Sequence, residues 1–173
     1  MGNSHKKSKK FTIAFLGLDK GGKTSIINQL RTEKQEKIYP TFNFNIEEIE
    51  FEKKKLTILE LAYREINELL LKHYNQSIDG IIFVVDSSDK NRHEEACKVI
   101  QDVLAYEELK NCPILVFANK QDLEDSSNPG EITEKLKMGQ IRGRTWLVQG
   151  CEALTGRGIK EGLDWMVSVL SRK

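Results

Sequence analysis

Two hydrophobic rhythms alternate along this chain, one suited to buried strands and one to amphipathic helices. Phe11-Thr12-Ile13-Ala14-Phe15-Leu16 is an almost unbroken apolar run that stops at Gly17, as in a strand covered on both faces. A glycine-containing turn follows, and Ile26, Ile27 and Leu30 then share one helical face. Phe42, Phe44 and Ile46 alternate with polar residues, and Leu56 and Ile58 do so before Leu59-Glu60-Leu61, predicting two half-buried strands. Glu52-Lys53-Lys54-Lys55 between them reads as a solvated hairpin turn. Ile66, Leu69, Leu70, His73 and Tyr74 return to helical spacing, with His73 as a packed histidine.

Gly80–Asp86 and Pro113–Ala118 are continuous apolar runs of the kind found in parallel strands. Cys97, Ile100, Val103 and Leu104 mark an amphipathic helix between them. Asn128-Pro129 supplies a cap and a first-turn proline for a helix through Leu136. Thr145–Gln149 is a last strand, and Ile159, Leu163, Met166, Val167 and Leu170 line one stripe of a terminal helix. There is no internal repeat or linker. Strands alternating with helices predict an α/β fold: a mostly parallel six-stranded sheet, helices on both faces and right-handed crossovers. Ligands of such sheets bind beyond the carboxyl ends of the strands.

Composition narrows the class. The 173 residues, 39% hydrophobic and 31% charged, make one domain rather than a disordered tail or a disulfide mini-protein. Cys97, Cys112 and Cys151 form an odd set without metal-ligand spacing, which suits a reduced cytosolic setting. The net charge of +1 hides a split. Lys6, Lys7, Lys9 and Lys10 stand in the first ten residues without an acid, so residues 1–10 read as a flexible basic tail and 11–173 as the domain. The domain carries more acid than base, which gives no reason to expect nucleic acid as a partner.

Gly17-Leu18-Asp19-Lys20-Gly21-Gly22-Lys23-Thr24 matches G-x-x-x-x-G-K-[ST] between a strand and a helix. In such a loop backbone N–H groups converge on phosphate oxygens, and the helix N-terminus favours the anion. Lys23 would neutralise β- and γ-phosphate charge, and the Thr24 hydroxyl would ligate Mg²⁺. Asn119-Lys120-Gln121-Asp122 closes the strand that ends at Ala118, on the same sheet edge. A carboxylate at Asp122 can accept hydrogen bonds from guanine N1–H and its 2-amino group, which adenine lacks.

With these two motifs, the segments Pro40–Glu47, Phe83–Ser87, Ala118–Asp122 and Glu161–Trp165 make the chain resemble the Arf/Arl (ADP-ribosylation-factor-like) small GTPases from Phe11 to Leu170. The resemblance implies the P-loop small-GTPase fold and a GTP/GDP switch that works with Mg²⁺, effector proteins and exchange factors, as a monomer. It implies that Thr41 meets Mg²⁺ and the γ-phosphate, and that the Ala153 backbone contacts the guanine carbonyl. It also implies that Phe44, Leu59 and Tyr74 are effector contacts, Leu59 standing where relatives usually have Trp.

The family's W-D-V-G-G-Q motif reads Leu59-Glu60-Leu61-Ala62-Tyr63-Arg64 here. Glu60, at the Asp position that holds Mg²⁺, has an extra methylene that must push the carboxylate closer or swing it aside. Tyr63 brings a side chain to a point of close backbone approach to the γ-phosphate. Arg64 replaces the Gln that orients the attacking water, and a guanidinium has no acceptor for that water's hydrogen. Weak hydrolysis is expected. The competing expectations are a GTPase completed by a partner and an interaction module independent of nucleotide. A P-loop kinase would need a second substrate pocket and is disfavoured by Asn119–Asp122.

Met1-Gly2-Asn3-Ser4-His5-Lys6 partly fits an N-myristoylation signal, with Lys6 where Ser or Thr is expected. Acylation at Gly2 with the lysines as second signal would place the chain peripherally on the cytosolic face of a membrane.

Overall fold

The computed structural model describes residues 9–31, 37–38, 45–62 and 78–172. Its strands are β1 (Lys10–Gly17), β2 (Lys37–Ile38), β3 (Asn45–Phe51), β4 (Lys54–Glu60), β5 (Gly80–Asp86), β6 (Ile114–Asn119) and β7 (Trp146–Gly150). Its α-helices are α1 (Lys23–Leu30), α2 (His93–Leu104), α3 (Pro129–Lys135) and α4 (Ile159–Ser171). Six strands of five to eight residues form the expected sheet, and the two-residue β2 adds an edge. The spatial order is β2-β3-β4-β1-β5-β6-β7. β4, β1, β5, β6 and β7 are parallel, while β3 is antiparallel to β4 and β2 to β3.

The two-residue period of each strand sorts its apolar side chains between two cores. Ala14 and Leu16 of β1, with Ile81, Phe83 and Val85 of β5, face Val99, Ile100 and Val103 of α2 and Ile132 of α3. Ile13 and Phe15, with Ile82 and Val84, face Ile26 and Ile27 of α1 and Leu163, Met166 and Leu170 of α4. Burial on both faces explains why these strands read as continuous apolar runs rather than alternating ones.

Two local details refine the sequence reading. The hairpin turn is only Glu52-Lys53, both in the left-handed region (φ 47 and 64), while Lys54 and Lys55 already belong to β4. The expected start of α3 carries a full capping box: the Asn128 side chain accepts from the Glu131 amide at 3.0 Å, and the Glu131 carboxylate accepts from the Asn128 amide at 2.8 Å. The helical segment expected around Ile66–Tyr74 lies outside the described residues. Among the described residues no helix is long and apolar enough to cross a membrane.

Candidate functional site

The parallel strands deliver the candidate residues to one end of the sheet. Gly17, Glu60, Asp86 and Asn119 are the last residues of β1, β4, β5 and β6. Asp86 and Asn119 are register partners, and Glu60 pairs with Phe15 two residues before Gly17. A cleft of about 580 Å³ opens there, lined by Asp19, Lys20, Gly22–Ser25, Asn45, Glu60, Ala62 and Lys120.

The phosphate loop forms its floor. At Gly17 (φ 139) a Cβ would lie 2.3 Å from the Val84 carbonyl oxygen, so only glycine lets β1 turn this close to β5. Gly22 (φ 99) is the N-cap of α1 and supplies no side-chain cap; a Cβ there would lie 2.2 Å from Asn119 Nδ2. The first helical hydrogen bond runs from the Ile26 amide to the Gly22 carbonyl at 2.9 Å. The preceding amides of the helix therefore have no intrahelical acceptor, which suits them to phosphate oxygens. Lys23 folds over the loop and donates to the carbonyls of Gly17 (3.1 Å) and Leu18 (2.8 Å). Arg92, just ahead of α2, donates to the Asp19 carboxylate at 2.7 Å, and that bond holds the Asp19 carboxyl below its usual range.

Glu60 pushes its carboxylate toward the loop rather than swinging it aside. Its Oε1 accepts from the Thr24 hydroxyl at 2.5 Å, and its Oε2 accepts from Asn45 Nδ2 at 3.3 Å. With the hydroxyl proton donated to Glu60, the Thr24 oxygen keeps its lone pairs for a cation. A hydroxyl and a carboxylate are the hard oxygen donors that Mg²⁺ takes, so the residues present fit that ion.

The base-motif side is built from buried bonds. Asn119 Nδ2 donates to the Gly21 carbonyl at 2.9 Å, and its Oδ1 accepts from the Ala153 amide at 3.0 Å. One side chain thus ties the phosphate loop, β6 and the Cys151–Ala153 loop together. The Ala153 amide, expected to meet the guanine carbonyl, is engaged by Asn119 in this conformation. Lys120 Nζ pairs with Asp86 Oδ2 at 2.5 Å, and Ser88 donates to Asp86 Oδ1 through its amide and hydroxyl. Burial alone would raise the Asp86 carboxyl; the bonds from Lys120 and Ser88 outweigh it and hold it below the ordinary 3.8. The Cys151 thiol, buried and beside Glu152, is pushed up to about 12. Asp122 is exposed, three residues past the end of β6.

The structure thus gathers Gly17–Thr24, Glu60, Asn119, Lys120, Asp122 and Ala153 at one sheet end. Thr41, Phe44, Tyr63, Arg64, Tyr74 and Gly2 lie outside the described residues. Leu59 is 2% exposed, packed with Leu61 and Ala14 in one core. The period of β4 explains this, since Ile58 and Leu59 face opposite cores and both are buried. Asn45, Asp86 and Arg92 were not singled out as site residues by sequence reasoning. Asp86 had a usable signal, a carboxylate at the carboxyl end of a core strand; Asn45 and Arg92 had none apart from the fold.

Comparison with known proteins agrees with this geometry. The profile of the ADP-ribosylation factor (Arf) family matches residues 1–170. The solved structure of the Arl6 BBS3 small GTPase from Trypanosoma brucei, with bound nucleotide analogue GppNp, is similar at a TM-score of 0.81 and 31% identity. The match covers 95% of this chain and 99% of that one.

Proposed function

The chain belongs to the ADP-ribosylation factor family of GTP-binding small GTPases, and from that premise we propose that it is a regulatory switch that holds guanine nucleotide but hydrolyses GTP poorly. The observation that carries this reading is the single Asn119 side chain joining the phosphate loop to the base-motif loops through buried bonds. A module indifferent to nucleotide has no need of that construction. The Trypanosoma brucei relative holds GppNp, which supports a guanine nucleoside triphosphate as ligand here.

In this reading the amides at the start of α1 and the Lys23 ammonium bind the phosphates, and Asp122 selects guanine. Thr24, Glu60 and Thr41 would hold Mg²⁺, which when bound neutralises charge on the phosphate oxygens. Hydrolysis also needs a group that accepts a hydrogen from the attacking water. Arg64, at the position where relatives carry the water-orienting Gln, supplies none, because a guanidinium only donates.

The switch acts in membrane traffic or signalling, read by effectors, reloaded by exchange factors and tethered through Gly2 and the tail lysines. The β1–β4 register supports that tether, since Lys10 lies beside Lys55 and the Lys55 amide bonds the Lys9 carbonyl. Lys9 and Lys10 therefore lie next to the lysine-bearing hairpin, at the sheet end opposite the cleft.

The test is the nucleotide released from purified protein, followed with time, beside the variant carrying Glu60→Asp, Ala62→Gly, Tyr63→Gly and Arg64→Gln. Persistent GTP in the natural chain and GTPase activity gained by the variant are expected. Protein purified without nucleotide overturns the binding reading, and a variant as inert as its parent overturns the account of the defect.

A further inference from the structure

Glutamate at position 60 raises a problem of control. Its side chain has one more rotatable bond than aspartate, so its carboxylate can leave the Thr24 hydroxyl for any stronger partner nearby. Among the described residues, Arg31, which follows α1, is a cation that interacts electrostatically with Glu60. That guanidinium is already committed: Nε donates to Glu47 Oε2 at 2.7 Å, a second nitrogen bonds Glu47 Oε1, and the third bonds Asn28 Oδ1. Arg31 therefore does not draw Glu60 away.

The group that does hold Glu60 is Asn45. It is the first residue of β3 and the register partner of Glu60, the last residue of β4. Directly opposed residues of an antiparallel pair stand on the same face with their side chains in reach. The Asn45 amide donates to Oε2 while the Thr24 hydroxyl donates to Oε1, so each carboxylate oxygen is held by a different donor. An amide suits this task. It donates to the carboxylate without adding a charge that would compete with a divalent cation for it.

We propose that Asn45 is the positioning residue that makes a glutamate serviceable at position 60. It holds the carboxylate over the Thr24 hydroxyl, and so retains the cation that accompanies the nucleotide. Asn45 acts through Glu60 and touches neither phosphate nor water in this role. The inference rests on the guanine-nucleotide reading above.

Its test is release of a fluorescent GDP from the full chain across a Mg²⁺ titration, for the natural chain, Asn45→Ala, Asn45→Asp, Glu60→Asp, and Asn45→Ala combined with Glu60→Asp. Truncating a group that orients a metal-site carboxylate costs about tenfold in metal affinity at the low end, so Asn45→Ala should raise the half-saturating Mg²⁺ roughly tenfold. Release in excess EDTA should be unchanged. Asn45→Asp sets a like charge beside Glu60 and should raise it further. In the Glu60→Asp background, where the extra torsion is gone, Asn45→Ala should shift half-saturation less than about threefold.

An Asn45→Ala protein with the natural Mg²⁺ dependence overturns the proposal. So does one that loses nucleotide equally fast with and without Mg²⁺, which marks general damage to the site, or an equal shift in both backgrounds. A natural chain that binds no GDP overturns the nucleotide reading itself.

Discussion

The two halves of the cleft are built differently. On the base-motif side Asn119 is 1% exposed, and its bonds to Gly21 and Ala153 are sealed from water. On the β4 side the Thr24–Glu60–Asn45 chain is exposed. A buried polar side chain that ties three segments cannot change without leaving donors and acceptors unpaired, whereas exposed bonds trade with solvent at small cost. The difference teaches where this chain tolerates change. Substitution has entered at Glu60–Arg64, while Gly17–Thr24 and Asn119–Asp122 keep the full motifs.

Three substitutions break or sharpen that contrast. Asn119→Ala should have the largest effect, since it orphans the Gly21 carbonyl and the Ala153 amide. Stability should drop by about 2–4 kcal/mol and GDP affinity by on the order of 100-fold or more, read by thermal unfolding and fluorescent-GDP titration. Asp86→Asn comes next. It leaves Lys120 without its carboxylate partner and should cost about 1–3 kcal/mol at pH 7.

That effect has a pH signature. The folded Asp86 carboxyl lies below its ordinary 3.8, so its contribution is present above about pH 4 and is lost as pH falls through the folded value. The gap between the natural chain and Asp86→Asn in denaturant midpoint should therefore close on acidification. Asn45→Ala should be smallest, within about 0.5 kcal/mol of the natural stability, because its bond is exposed. A midpoint for Asn45→Ala as low as that of Asn119→Ala contradicts the contrast between the halves.

Much of this arrangement was legible along the chain, and the exceptions have physical causes. β1, β5 and β6 announced themselves because burial on both faces demands unbroken apolar runs, and the phosphate loop because a Cβ at Gly22 or Gly17 would lie only 2.2 or 2.3 Å from a neighbouring atom. The start of α3 was legible because Asn128 and Pro129 act locally. The hairpin was read two residues too long: Lys54 and Lys55 look like turn residues by charge, yet they sit in β4 with their backbone paired to β3 and β1. Leu59 is buried because β4 is covered on both faces, which its motif position does not reveal. Asn45 could not be read from sequence at all, because its partner lies across a register that only the folded hairpin creates.

The most direct test of the central claim is single-turnover hydrolysis of GTP loaded onto the purified full chain with Mg²⁺ and no partner protein. Intact small GTPases hydrolyse unaided at roughly 10⁻⁴ to 10⁻³ per second, and with Arg64 at the water-orienting position a rate below about 10⁻⁴ per second is predicted while GTP stays bound. Phosphate release at the rate of intact relatives would contradict the account.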